Sequence, residues 1–141
     1  MANWVDNYIV ISHKNKRKME AFVRKCEREM EETDFSFFNK IAGERAFIRY
    51  CEYDGENTIK LDIDSAWGTP EKTLEALTSR KYGFTLINGT YYECGMNFCG
   101  YHGGEHFENF DTLDSIPADI IANHGMAENW EEDHEIEQEC E

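Results

Sequence analysis

The sequence predicts an α+β fold of ferredoxin-like type. The expected arrangement is a split βαβ pattern, β-α-β-β-α-β plus an added strand, with an antiparallel sheet, two helices on one face and an acidic C-terminal extension. Three observations lead there. Short β-rich runs alternate with two amphipathic helical segments in that order. One run alternates strictly, Ile59, Leu61 and Ile63 against Lys60, Asp62 and Asp64, which marks a sheet with one packed and one wet face. The 141 residues suit a single domain, and 40% hydrophobic with 13% aromatic residues is too much apolar mass for a disordered chain.

Each element has its own warrant. Val5 to Ser12, with Ile9, Val10 and Ile11, reads as the first strand. Asn15 or a neighbour opens a helix from about 16 to 32. There Met19, Phe22, Val23, Cys26 and Met30 recur at three- and four-residue steps and form one apolar stripe. Residues 46–53 and 57–64 are two strands around the turn Asp54-Gly55-Glu56. Thr69 is the expected N-cap of a second helix, with Pro70 and Glu71 in its first turn, Leu74 and Leu77 buried, and an end near Arg80 before Gly83. Residues 83–92 and 96–107 are strand-like. Both Asn88-Gly89 and Cys94-Gly95 are turn signals, so the register there stays open. Asp114 or Ser115 caps a short helix through Ile120 and Ile121, ended by Gly125. The expected organisation is a ferredoxin-like domain over 1–110, a short helix packed on it over 111–127, and an acidic tail over 128–141. The expected core contains Phe22, Val23, Ile48 or Phe47, Ile59, Leu61, Ile63, Leu74 and Leu77.

Charge is the most uneven property of the chain. Residues 1–81 hold all 14 basic and 15 of the 29 acidic residues, a net of −1, whereas residues 82–141 hold 14 acids and no Lys or Arg. Within the last stretch, Glu128 to Glu141 carries eight acids, a run that repels itself and has little to bury. A net charge of −15 argues against direct nucleic-acid binding and against anionic membranes, both of which need a basic footprint. No apolar run approaches the roughly 20 residues of a bilayer span, and Met1 to Asp6 lacks signal-peptide character. The expectation is a protein of the cytoplasm, monomeric or homodimeric. Five scattered Cys suit reduced thiols better than a disulfide framework.

Three motifs occur in one order: Ala2-Asn3-Trp4, then Asp64-Ser65-Ala66-Trp67-Gly68-Thr69-Pro70 leading into a helix, then Tyr92-Glu93-Cys94-Gly95-Met96-Asn97-Phe98-Cys99-Gly100. Together, over about residues 1–105, they resemble the Api-like proteins, phage- and plasmid-borne proteins of unknown function with a ferredoxin-like domain. This chain departs from that pattern in lacking a Trp-Gly-Thr-Lys-Trp segment before the third strand, and the acidic tail is not part of it. The resemblance implies a fold and a mobile-element origin, and no chemistry.

The candidate chemistry is sparse. Cys94, Cys99, His102 and His106 have the ligand types for tetrahedral zinc, but the Cys spacing is one residue too long and a metal-free hairpin explains the segment as well. No metal and no cofactor is therefore expected. Glu52, Asp54 and Glu56, or Asp62 and Asp64, share a turn or strand face, as ordinary surface acids do. A Cys–His nucleophile such as Cys99 with His102 or His124 is near chance for this composition, and no nucleophile elbow or phosphate-cradling Gly loop occurs. Phe47, Tyr91 and Tyr101 are the aromatics a sheet face would need for RNA, without basic neighbours on the last strands. Trp4 and Trp67 are expected to pack at the sheet edge and the helix start.

The sequence thus points to a non-enzymatic phage or mobile-element accessory protein. It would bind and inhibit a host nucleic-acid-binding defence complex through an acidic, nucleic-acid-mimicking surface, as an anti-CRISPR inhibitor does. The expected contact residues, against a basic protein surface, are Glu105, Glu108, Asp111, Asp114, Glu128, Glu131, Glu132, Asp133, Glu135, Glu137 and Glu139. The alternatives are a metal-dependent or hydrolytic enzyme using the Cys/His segment, and a dimerising accessory protein joined through a free sheet edge.

Overall fold

The computed structural model describes residues 3–32 and 43–127. The elements are β1 (Trp4–Ser12), α1 (Lys16–Glu31), β2 (Ala46–Tyr53), β3 (Thr58–Ala66), α2 (Glu71–Leu77), β4 (Thr85–Glu93), β5 (Phe98–Tyr101), β6 (His106–Glu108) and α3 (Ala118–Asn123). The chain is α+β: an open six-stranded sheet in the order β2-β3-β1-β4-β5-β6, antiparallel at every pairing, of a kind that fits the ferredoxin-like α+β class. Among the described residues no helix is long and apolar enough to cross a membrane.

The two sheet faces carry separate cores. On one, Ile9, Ile11, Ile59, Leu61 and Ile63 meet Met19, Phe22, Val23 and Cys26 of α1 and Leu77 of α2. The alternation of β3 therefore has the phase the sequence predicts. Ile48 is buried and Phe47 is not, which resolves the choice between them, and Leu74 packs only partly. On the other face, β4 and β5 supply Tyr92 and Cys99 to a smaller core completed by Phe110, Ile116, Ile120 and Met126.

Several local expectations need correction. Met30 is 43% exposed, and the neighbouring Glu29 turns inward instead, its carboxylate accepting the backbone N–H of Ile48. A buried edge N–H needs an acceptor more than the stripe needs another thioether. The N-cap of α2 is Pro70 rather than Thr69, without a side-chain cap, and the helix ends at Leu77 rather than near Arg80. The short C-terminal helix starts at Ala118 after Pro117, not at Asp114 or Ser115.

Asn88-Gly89 is not a hairpin turn. It lies inside β4, where Gly89 faces Ile9 across the ladder, and the reversal comes at Cys94–Asn97. The turn is fixed by the buried Glu93 carboxylate, which accepts from Gly95 N (2.7 Å) and Met96 N (2.5 Å). Gly89 is needed for packing instead: a Cβ there would stand 2.9 Å from His102 Cδ2. The single added strand expected over residues 96–107 is two, β5 and β6, because Gly103 at φ 77° reverses the chain between them.

Candidate functional site

The acidic lobe is built on β5, β6 and the loop to α3. Glu105, Glu108, Asp111 and Asp114 are all exposed, and Asp119 on α3 joins them while accepting the Tyr101 hydroxyl at 2.6 Å. That bond holds the Tyr101 phenol in its neutral form up to about 12. Residues 82–127 contain six acids, of which only Glu93 is buried, and no Lys or Arg. Four of the expected contact residues thus share one end of the fold. The others, Glu128, Glu131, Glu132, Asp133, Glu135, Glu137 and Glu139, lie outside the described residues.

The lobe is fastened to the sheet by a polar network that the sequence did not reveal. His124, just after α3, has Nδ1 at 2.7 Å from Asp6 Oδ2 of β1 and Nε2 at 2.9 Å from Thr90 Oγ1 of β4. Asn123 Nδ2 donates to the same hydroxyl at 3.1 Å. The order carboxylate, imidazole, hydroxyl is that of a hydrolytic triad. However, the His124 side chain and Thr90 are fully enclosed, so the hydroxyl has no approach for a substrate. The network works as an anchor. Only separation in sequence hid it, since nothing local links residues 6, 90 and 124.

Beside this anchor a cleft of about 320 Å³ opens on the uncovered half of the sheet, lined by Asp6, Arg49, Tyr50, Asp62, Asn123 and His124. Burial raises the carboxyls of Asp62 and Asp64 from their ordinary values, with Asp6 adding repulsion and Arg49 opposing the rise. Arg49 Nε lies 3.5 Å from Asp64. These carboxylates do share a face, as alternation requires, but Arg49 neutralises part of it.

The Cys/His segment is dispersed. Cys94 is exposed in the turn, Cys99 is inside the smaller core with its thiol pushed up to about 11 by burial, and His106 Nδ1 sits 2.6 Å from the Tyr91 hydroxyl. His102 packs tilted against the Tyr91 ring, centroids 5.2 Å apart, and burial lowers its ionisation to about 4, with His124 adding to the effect. Among the described residues, no three His, Cys, Asp or Glu side chains come together as metal ligands. Cys99 and His102 lie in different environments, one in the smaller core and one against Tyr91 and Gly89.

The sheet aromatics are likewise separated. Phe47 is on the open face, tilted against Trp4 with ring centres 5.9 Å apart, while Tyr91 is buried on the opposite face and Tyr101 packs under α3. Trp67 does not pack at the helix start: it is 64% exposed at φ 69°, held by its N–H bond to Asn3 O at 2.7 Å. His102, His106 and Phe98 do meet around Tyr91, but the two cysteines lie apart from them, and the carboxylates of the lobe stand exposed on neighbouring segments.

The fold and this lobe define a small α+β protein with an acidic face mounted on the end of an antiparallel sheet. The chain is 41% identical over 59 residues to the uncharacterized protein YubB of Escherichia coli strain K12, a stretch covering 42% of this chain and 40% of that protein. No family model and no solved structure matches it.

Proposed function

We propose that this chain is a non-enzymatic binding protein whose acidic lobe imitates a nucleic-acid backbone and occupies the basic groove of a host nucleic-acid-binding defence complex. The observation that carries the reading is the density of exposed carboxylates at Glu105, Glu108, Asp111, Asp114 and Asp119, with no Lys or Arg anywhere in 82–127. A surface of one sign raises the encounter rate with an oppositely charged groove and disfavours anionic competitors. The enclosure of Thr90 and the dispersal of the Cys/His groups favour binding over catalysis.

In the same reading the fold is a split βαβ unit. Helix α1 follows β1 and leads to β2, α2 joins β3 to β4, and the order β2-β3-β1-β4 supports that arrangement with β5 and β6 appended. A mobile-element origin, kinship with the Api-like proteins and a place in the host cytoplasm belong to this proposal.

The test is titration against purified CRISPR effector complexes while their DNA binding is followed. Inhibition should saturate near one equivalent and reverse on removal. It should weaken with salt and be lost when Glu105, Glu108, Asp111 and Asp114 become Gln or Asn. Irreversible inactivation by a small fraction of an equivalent would establish turnover and overturn the reading.

A further inference from the structure

The face away from the acidic lobe has the opposite character. Lys18 and Lys25 stand two turns apart on α1, and Lys81 faces them from the α2–β4 loop across a cleft of about 160 Å³. The other walls are Phe22, Tyr82 and Phe84, with Ala21 between, and among the described residues no carboxylate lines it. Lys81 Nζ lies 5.5 Å from the centre of the Tyr82 ring. Lys18 and Lys81 form no ion pair among the described residues. Exposed Lys14, Arg17 and Arg80 flank these positions in sequence.

Two features argue that this cleft is built rather than incidental. The first turn of α1 contains no acid and instead carries Lys16, Arg17 and Lys18 at the positive end of the helix, where cations are disfavoured. The walls are also clamped together by His13. It accepts from Asn15 N at 2.9 Å through Nδ1 and thereby donates through Nε2 to Tyr82 O at 2.8 Å. One imidazole thus ties the start of α1 to the loop that bears Tyr82 and Lys81.

We propose that this cleft binds single-stranded nucleic acid, successive phosphodiesters at Lys18 and Lys81 and a base against Tyr82. Ammonium groups around an aromatic surface are the pairing that single strands use, because phosphates and unpaired bases are both within reach. The size fits a piece of a polymer. A cleft of about 160 Å³ is smaller than the several hundred Å³ that enclose a free metabolite, so the strand continues along the flanking cations. The chain's net charge of −15 conceals this site because the acids concentrate in 82–141.

The experiment is fluorescence anisotropy of a labelled oligothymidylate of about twelve nucleotides with the full chain, from low to moderate salt. Saturable binding is expected, with log affinity falling against log salt at a slope near −1.4 for two neutralised phosphates. Lys18→Gln and Lys81→Gln should each flatten that slope by about 0.7, and Tyr82→Leu should weaken binding roughly 5- to 100-fold at unchanged slope. Lys60→Gln, on β3, should bind as wild type. Melting curves must first show each variant folded, and since the Gln changes are at exposed positions, they decide if Tyr82→Leu unfolds. Absent binding at low salt, or equal binding by the Lys18, Lys81 and wild-type proteins, overturns the proposal. So does a peptide of residues 128–141 that displaces the strand and binds the Lys18 and Lys81 sites more tightly, which would make the site one for acidic peptides.

Discussion

Acidification should destabilise this fold through His102, by an amount the structure sets. The ring is wedged against Gly89 and packed tilted against Tyr91, its Nε2 is enclosed without a hydrogen-bond partner among the described residues, and its ionisation is lowered to about 4. Burial is the main cause, His124 adds to it, and the Thr90 carbonyl opposes it. In the unfolded chain the same imidazole ionises near 6.5. Between these values the unfolded state takes up a proton that the folded state refuses. Stability is therefore intact above about 6.5, falls as pH drops to about 4, and loses nothing more from this group below that. At about 1.4 kcal/mol per pH unit, the gap is worth about 3 kcal/mol. Asp62 and Asp64 act with the opposite sign: their raised values make the folded state bind protons first, so they add stability as pH falls toward the ordinary carboxylate value. The decisive quantity is thus the difference between wild type and His102→Gln, from urea unfolding at pH 7, 6, 5 and 4. The wild-type advantage should shrink by about 3 kcal/mol across that range, and the His102 ring signals in NMR should titrate near 4. A midpoint near 6.5, or a difference that does not change with pH, would refute the burial argument.

Leu61→Ala should cost about 2–5 kcal/mol in chemical unfolding, since Leu61 is 1% exposed in the larger core; a loss under about 0.5 would put that residue at the surface. Gly100→Ala should destabilise by about 3 kcal/mol, because its Cβ would lie 2.5 Å from the Tyr91 hydroxyl and collide with the Glu105 carbonyl; an unchanged melting temperature would mean that β5 and β6 pair differently. Thr90→Val should cost about 1–3 kcal/mol by leaving His124 Nε2 and Asn123 Nδ2 unpaired in an enclosed site, and a stability equal to wild type would show that water reaches the anchor.

What the sequence disclosed follows from how far apart the interacting residues are. The alternation of residues 59–64 and the stripe Met19, Phe22, Val23, Cys26 are local periodicities, and both map onto the larger core. The Cys94-Gly95 turn and Asn88-Gly89 have equal local signals, and what separates them is distant: the Glu93 carboxylate closing one, and His102 packing on Gly89 in the other. Glu29 and Met30 exchange roles for the same kind of reason, since the acceptor demand comes from Ile48. At the site, the exposed acids were legible because a run without Lys or Arg has no local means of neutralisation. The Asp6–His124–Thr90 anchor and the lysine cleft were not, because each joins segments that only the sheet brings together.

The anchor explains how a lobe of such uniform charge stays folded. Helix α3 has six residues, too few to be stable by its own hydrogen bonds, and the exposed acids around it repel one another. Ile120 and Met126 supply its apolar attachment, and His124 and Asn123 add directional bonds to β1 and β4. Repulsion acts over several ångströms and weakens in water, whereas the enclosed imidazole has fixed partners at 2.7 and 2.9 Å. Short-range, directional contacts on the sheet side therefore outweigh long-range repulsion on the solvent side. The carboxylates are then presented on a pre-ordered surface, and a partner's basic groove binding it would lose less entropy than in ordering a free acidic segment.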